Sequence, residues 1–246
     1  MHISRLMAAK IRLFVRHDLA EGQSVDLSRE QGHYLFGVMR LGLGDALLLF
    51  NGRDGEWLAM VAKAGKRGGV LTVEARVRGQ ADPPDLWLLF APIKKARTDF
   101  IVEKAVELGV ARIMPVMTEF TNSERVRQDR LQAHAVEAAE QCGAMAVPEV
   151  AEAVRLDRLL ADWPDGRALV FCDEGAAGGA SGLEVLARGP AAVLIGPEGG
   201  FSDAERARLK ALAFARTLSL GPRILRADTA AVAALVLWQS KVGDWV

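Results

Sequence analysis

Cysteine is scarce. Cys142 and Cys172 are the only two in 246 residues, too few for a disulfide framework, and they form no Cys-x-x-Cys pair. The four histidines, His2, His17, His33 and His134, are scattered, so no His/Cys cluster has zinc spacing and no metal is expected. This cysteine usage points to the reducing cytoplasm, and no apolar run ahead of Arg12 is long enough for a signal peptide. Long hydrophobic runs are also missing. The charge-free apolar stretch 229–240 falls short of the roughly 20 residues of a membrane helix, so no membrane partner is expected. Glycine (24) and proline (9) are too few for a low-complexity chain, and 50% hydrophobic content with zero net charge argues against disorder.

Zero net charge excludes a uniformly basic nucleic-acid binder, yet it hides an asymmetry. Residues 1–80 carry 12 Lys+Arg and 8 Asp+Glu, net +4; residues 81–246 carry 19 and 23, net −4. A polyanion suits the first part, and a neutral or cationic ligand the second.

The first part reads as strands. The apolar run 47–50, the glycine-rich turn 51–55 and residues 56–61 form a hairpin signal with a loop longer than two residues. Residues 70–77 alternate as a half-buried strand. Short strands with glycine turns suggest a small barrel. Residues 33–41 fit a helix or a strand equally. The stretch 79–84, with Pro83 and Pro84, marks a boundary, giving domains 1–79 and 80–246.

Beyond it, strands and helices alternate as in an α/β layer fold. Strands are expected at 87–91, 112–116, 168–172, 191–195 and 217–220. A helix is expected over 97–108, with Gly109 as its stop. A second, capped by Ser123, runs to Cys142 with Leu131, Ala135, Ala139 and Cys142 as its stripe. Ser202 and Glu205 match a capping box for a third, to about residue 213. The last, 229–240, is apolar nearly all round and must be buried in a core or an interface. Residues 175–182 read as a flexible Gly/Ala-rich connection.

Phosphate-loop, dinucleotide and nucleophile-elbow motifs are absent. Two loops remain, each following a strand and feeding a helix. Gly196-Pro197-Glu198-Gly199-Gly200 allows close backbone approach to a ligand, and Glu198 disfavours a phosphate there. Residues 220–230, Leu-Gly-Pro-Arg-Ile-Leu-Arg-Ala-Asp-Thr-Ala, form the second loop, where Asp228 or Thr229 can cap the helix.

Together these loops resemble the RsmE family of SPOUT-class rRNA methyltransferases. So do Lys104 with Glu107-Leu108-Gly109-Val110, Pro115 with Thr118-Glu119, Ser123-Glu124-Arg125, 137–143 with Val147-Pro148, and His33 through Arg40-Leu41 with Gly44-Asp45, all in family order. The resemblance implies an N-terminal PUA-like β-barrel and a C-terminal SPOUT α/β domain with a trefoil knot. It also implies a homodimer and methylation of N3 of a uridine in 16S rRNA of the small ribosomal subunit. S-adenosylmethionine would be held by Ile195, Gly196, Pro197, Glu198, Gly199 and Gly200 and by Leu220, Gly221, Ile224, Leu225 and Ala230. The chain departs from the family at Ala144, where arginine is usual, and at Asp228, where glutamate is usual.

N3 of uridine is protonated at neutral pH and needs its proton removed or its anion stabilised. Arg226 is the candidate stabiliser and Asp228 the base or orienter. Arg12, Arg16, Arg40, Lys94, Lys95 and Arg97 are candidate RNA contacts, whereas Lys104 and Glu107 read as a surface ion pair. Two alternatives stand beside this reading: methylation of a different RNA target, and a ribosome-associated RNA-binding protein of the same fold without catalysis.

Overall fold

The 51–55 turn does close a hairpin, and the strands around it build the first of two units. The computed structural model describes residues 6–7, 9–65, 68–122, 126–176 and 183–246. One unit comprises Met1–Asp82 with Ala139–Ala146, the other Pro83–Ala138 with Val147–Val246. The division falls inside the proline-containing stretch 79–84.

In the first unit, β1 (Arg12–Phe14), β2 (Ser24–Asp26), β3 (Ala46–Phe50), β4 (Glu56–Gly65) and β5 (Gly68–Arg78) form a sheet in the order β1-β3-β4-β5-β2. β1 is parallel to β3 and the other pairs are antiparallel. Phe50 pairs with Glu56 across the turn. There Asn51 Oδ1 accepts from the N–H groups of Arg53 (3.0 Å) and Asp54 (2.9 Å). Three register shifts between β4 and β5 increase the local twist over a core that includes Leu13, Val25, Leu35, Leu47, Leu49 and Leu71. No ladder joins β1 to β2 among the described residues, so backbone pairing does not close the sheet into a ring there. The ambiguous 33–41 stretch begins as a π-helical segment, His33–Val38, that continues directly from a short helix α1 (Arg29–Gly32). Its wider turn matches neither a 3.6- nor a 2-residue period.

The second unit holds β6 (Leu86–Phe90), β7 (Arg112–Met117), β8 (Glu149–Val150), β9 (Val154–Arg155), β10 (Ala168–Cys172), β11 (Ala191–Ile195) and β12 (Ala215–Leu218). Their order is β12-β10-β11-β6-β7-β8, with β9 also on β7, and every pairing is parallel. All five residues of β11 are buried, the continuous apolar run of a parallel strand covered on both faces. The helices are α2 (Lys95–Glu107), α3 (Gln128–Cys142), α4 (Leu156–Ala161), α5 (Asp203–Ala211) and α6 (Ala227–Val242). Leu89, Val116, Phe171, Leu194, Phe201 and Leu209 fill one core, each large side chain contributing roughly 1.5–3 kcal/mol of burial.

Local signals placed several ends correctly. Gly109, at φ +71°, follows α2, where a left-handed residue ends a helix without strain. Ser202 and Glu205 form the reciprocal capping box of α5. Other expectations change. The Ser123 cap lies outside the described residues, as do residues 177–182 of the Gly/Ala-rich connection. Cys142 is exposed, because it is the final residue of α3, past the buried part of its stripe. Asp228 and Thr229 do not cap α6. The cap position is Arg226, with extended backbone and no side-chain cap, so Asp228 sits inside the first turn. The short elements β1, β2, β8, β9 and α4 span too few residues to show a period. Finally, β12 is the edge strand, yet α6 packs on β11 and α2. Residues 219–226 therefore run back across the carboxyl ends of β10 and β11.

Candidate functional site

Three adjacent parallel strands, β10, β11 and β12, end at one edge of the sheet, and a cavity opens there. The carboxyl edge of such a sheet is where ligands bind. β10 brings Cys172, Asp173 and Glu174. β11 brings Ile195 and the Gly196, Pro197, Glu198 and Gly200 backbone. The returning segment adds Leu218, Leu220, Gly221, Arg223, Ile224, Leu225 and Arg226, and α6 adds Ala227 and Ala230.

The two loops singled out by sequence thus meet at one cavity, although Gly199, Pro222, Asp228 and Thr229 do not line it. A β-carbon at Gly199 would face Phe120 at 3.3 Å. Asp228 Oδ1 accepts from the Thr229 N–H (2.9 Å) and its Oδ2 lies 3.7 Å from Arg97 Nε.

Asp173 and Glu174 escaped sequence reading. Acidic residues directly after a buried strand were the available signal. The Asp173 side chain is fully buried, with Arg206 Nε at 2.9 Å, the Gly175 N–H at 3.0 Å and Lys210 Nζ at 3.2 Å. Burial pushes its pKa up, but these donors outweigh burial and hold the carboxyl below its usual value. Arg206 also pairs with Glu174. Cys172 has no such donors, and burial pushes its thiol up to about 12, which keeps it neutral and unreactive. With Glu198, three acidic residues line the cavity together with Arg223, Arg226 and the apolar Ile195, Leu218, Leu220 and Leu225.

The candidate RNA contacts separate sharply. The Arg12 side chain is largely buried and engaged within the protein. Its guanidinium donates to Glu56 (2.6 Å) and to the carbonyls of Ala139 (2.5 Å) and Ala144 (2.7 Å), and it lies over the Phe50 ring. It is structural, fastening residues 139–146 within the first unit together with Arg78, which donates to the Gly143 carbonyl at 3.0 Å. Arg97 is also engaged, with Nη1 3.6 Å from Glu198 Oε1 and Nε near Asp228. Arg16 and Arg40 are exposed, Arg40 at φ +58°. Lys94 and Lys95 are exposed beside a groove shared with Thr98, Arg127 and Arg130. Lys104 and Glu107 form the expected ion pair at 2.6 Å. Among the described residues no group of three His, Cys, Asp or Glu is placed to hold a metal ion, and no helix is long and apolar enough to cross a membrane.

Comparison with known proteins adds to this geometry. The model of an RNA methyltransferase domain matches residues 80–239, and that of an RNA methyltransferase PUA domain matches residues 27–74. A ribosomal RNA small subunit methyltransferase E of Synechocystis is 30% identical over 230 residues, covering 91% of this chain and 75% of its own. A methyltransferase of Legionella pneumophila, solved with its bound cofactor S-adenosylmethionine, superposes with a TM-score of 0.87 at 30% identity, covering 95% of this chain and 98% of that one. A ribosomal RNA small subunit methyltransferase E of Neisseria gonorrhoeae, bound to S-adenosylmethionine, superposes with a TM-score of 0.85 at 26% identity, covering 96% and 99%.

Proposed function

Because this chain belongs to the RNA methyltransferase family, and within it to the ribosomal RNA small subunit methyltransferase E proteins, we propose that it methylates N3 of a uridine in 16S rRNA of the small ribosomal subunit, using S-adenosylmethionine. The observation that carries this reading is the cavity at the ends of β10, β11 and β12. Of its carboxylates, Glu174 and Glu198 are exposed enough to suit the sulfonium and ammonium of that cofactor, with the buried Asp173 behind them. Its apolar residues Ile195, Leu220, Leu225 and Ala230 suit a neutral adenine. When bound, the cofactor supplies the methyl group.

The chain's own residues must position the uridine and manage its proton. Arg226, at the cavity, would donate hydrogen bonds to the uracil oxygen that gains negative charge, and Asp228 would accept or orient the N3 proton. Holding both reactants in line supplies at most roughly 7–11 kcal/mol of the barrier.

The return of residues 219–226 across β10 and β11 supports a SPOUT domain with a trefoil knot. Residues 1–79 are assigned to RNA and 80–246 to methyl transfer. Arg16, Arg40, Lys94 and Lys95 are the cations left to meet phosphates. The half-exposed face of α6 supports a homodimer, and an rRNA substrate supports a cytoplasmic location.

The test is to incubate the protein, methyl-labelled cofactor and small subunits from a strain that lacks the endogenous activity, then map the label. Label at N3 of one 16S uridine is expected. Label on ribose, on another RNA or nowhere would overturn the assignment.

A further inference from the structure

We propose that Arg97 is a positioning residue, holding the 196–200 loop and the first turn of α6 in register through Glu198 and Asp228, and that it does not contact RNA phosphate. This rests on the methyltransferase reading of the same site. Arg97 sits in the first turn of α2, directly after the carboxyl end of β6. That turn is rigid: the Thr98 hydroxyl, buried, both donates to the Ile93 carbonyl and accepts from the Ile93 N–H at 3.0 Å, and the Arg97 N–H donates to the Lys94 carbonyl at 2.9 Å. The backbone that carries Arg97 is therefore fixed, and the two carboxylates orient its guanidinium.

Two different nitrogens of the fork face two different carboxylates. Nη1 lies 3.6 Å from Glu198 and Nε 3.7 Å from Asp228. Glu198 belongs to the loop that lines the cavity, and Asp228 to the helix whose preceding residue lines it. One cation thus joins three segments that are far apart in sequence. Two carboxylates around one guanidinium leave a locally negative site, which repels phosphate. Lys94 and Lys95, three and two residues earlier, show no ion pair among the described residues and are the better phosphate ligands. Without Arg97, Glu198 and Asp228 would face each other as uncompensated like charges, and the two segments would drift apart.

Arg97→Met keeps the aliphatic stem and removes the charge; Arg97→Lys keeps the charge but lacks the fork that reaches both carboxylates. With Arg97→Met we expect kcat to fall about tenfold while KM for rRNA stays within about twofold. Amide hydrogen exchange should rise about tenfold in 196–200 and 227–230 together. Arg97→Lys should fall between. Unchanged exchange, with kcat intact and KM for rRNA raised, would make Arg97 a phosphate contact and overturn the proposal. If the wild-type protein transfers no methyl to rRNA while Arg97→Met still loosens both segments, the activity reading falls and the positioning role stands.

Discussion

The carboxylate of Glu174 occupies the space that a β-carbon on Gly200 would need. Arg206, on α5, holds that carboxylate, and it also holds the buried Asp173. The end of β10 and the loop after β11 therefore touch through an acid and a glycine, and one arginine behind them joins the two acids that follow β10.

Gly200→Ala should damage that contact. Gly200 lies at φ +69°, a conformation that costs a residue with a β-carbon about 1–2 kcal/mol, and the new methyl must also displace Glu174. We expect S-adenosylmethionine affinity to drop about tenfold or more, the equivalent of at least ~1.4 kcal/mol, with a native circular-dichroism spectrum. Wild-type affinity by calorimetry would show that neither residue shapes the cofactor site.

Asp173 makes the protein's stability depend on pH. Its folded-state pKa lies below the usual 3.8, so its contribution is complete above the unfolded value and is lost as pH falls through the folded one. Asp173→Asn should lower stability at pH 7 by roughly 1.5–3 kcal/mol, the range for hydrogen bonds to charged groups, and flatten the loss below about pH 4. Denaturant midpoints measured from neutral to acid pH check this. Parallel curves for the two proteins would remove Asp173 from the acid transition.

Arg12 should behave as a structural residue. Arg12→Met strips donors from the carbonyls of Ala139, Glu140 and Ala144 and one of two cations from Glu56, whose side chain is 5% exposed. Arg78 still faces Glu56 at 2.9 Å, so the loss should be about 1.5–3 kcal/mol, below that of a wholly orphaned buried charge. The salt dependence of RNA binding should not change. A folded variant of wild-type stability with a weakened salt slope would return Arg12 to the RNA surface.

What was legible in the sequence was what is local. Strands 168–172 and 191–195, the Ser202–Glu205 cap and the two turn-forming loops each carry their signal within a few residues. Asp173 and Glu174 were missed because their loop meets the Gly196–Gly200 loop only through the sheet order, which places β10 beside β11. The engagement of Arg12 was hidden for the same reason. Arg12 looked like a free surface cation because its carbonyl partner, Ala139, is 127 residues away. Arg97 faces acids 101 and 131 residues further along the chain. The cap of α6 failed differently: Asp228 is a preferred cap residue, but the helix starts at Ala227, two residues earlier than that cap would allow, and leaves the position to Arg226.

The proposed homodimer would rest on α6. Ala231, Ala234, Leu235 and Trp238 are buried, while Val232, Ala233, Val236 and Leu237 are only half-buried. This second row has i, i+4 spacing, so it forms an apolar stripe suited to a self-complementary contact. Light scattering at micromolar concentration should give twice the chain mass for the wild type and a single chain for Val236→Glu/Leu237→Glu. A monomeric wild type would leave the stripe without that role.

The remaining cations of the first unit should carry RNA attraction. Arg16 and Arg40 are exposed, and Arg40 is flanked by Val38 and Leu43, 58% and 71% exposed. Deleting residues 1–80 would be a poor test, because it would also strip Arg12 and Arg78 from the carbonyls of 139–144. Charge reversal is cleaner. Each phosphate contact contributes a salt slope of about −0.7 on single-stranded RNA. Arg16→Glu/Arg40→Glu should therefore weaken rRNA binding and flatten log Kd against log salt by about 1.4. Cofactor affinity should not move, since neither residue lines the cavity at β10, β11 and β12. If the slope is unchanged, Lys94 and Lys95 carry the phosphates, and the net +4 of residues 1–80 does no more than keep that part of the protein soluble.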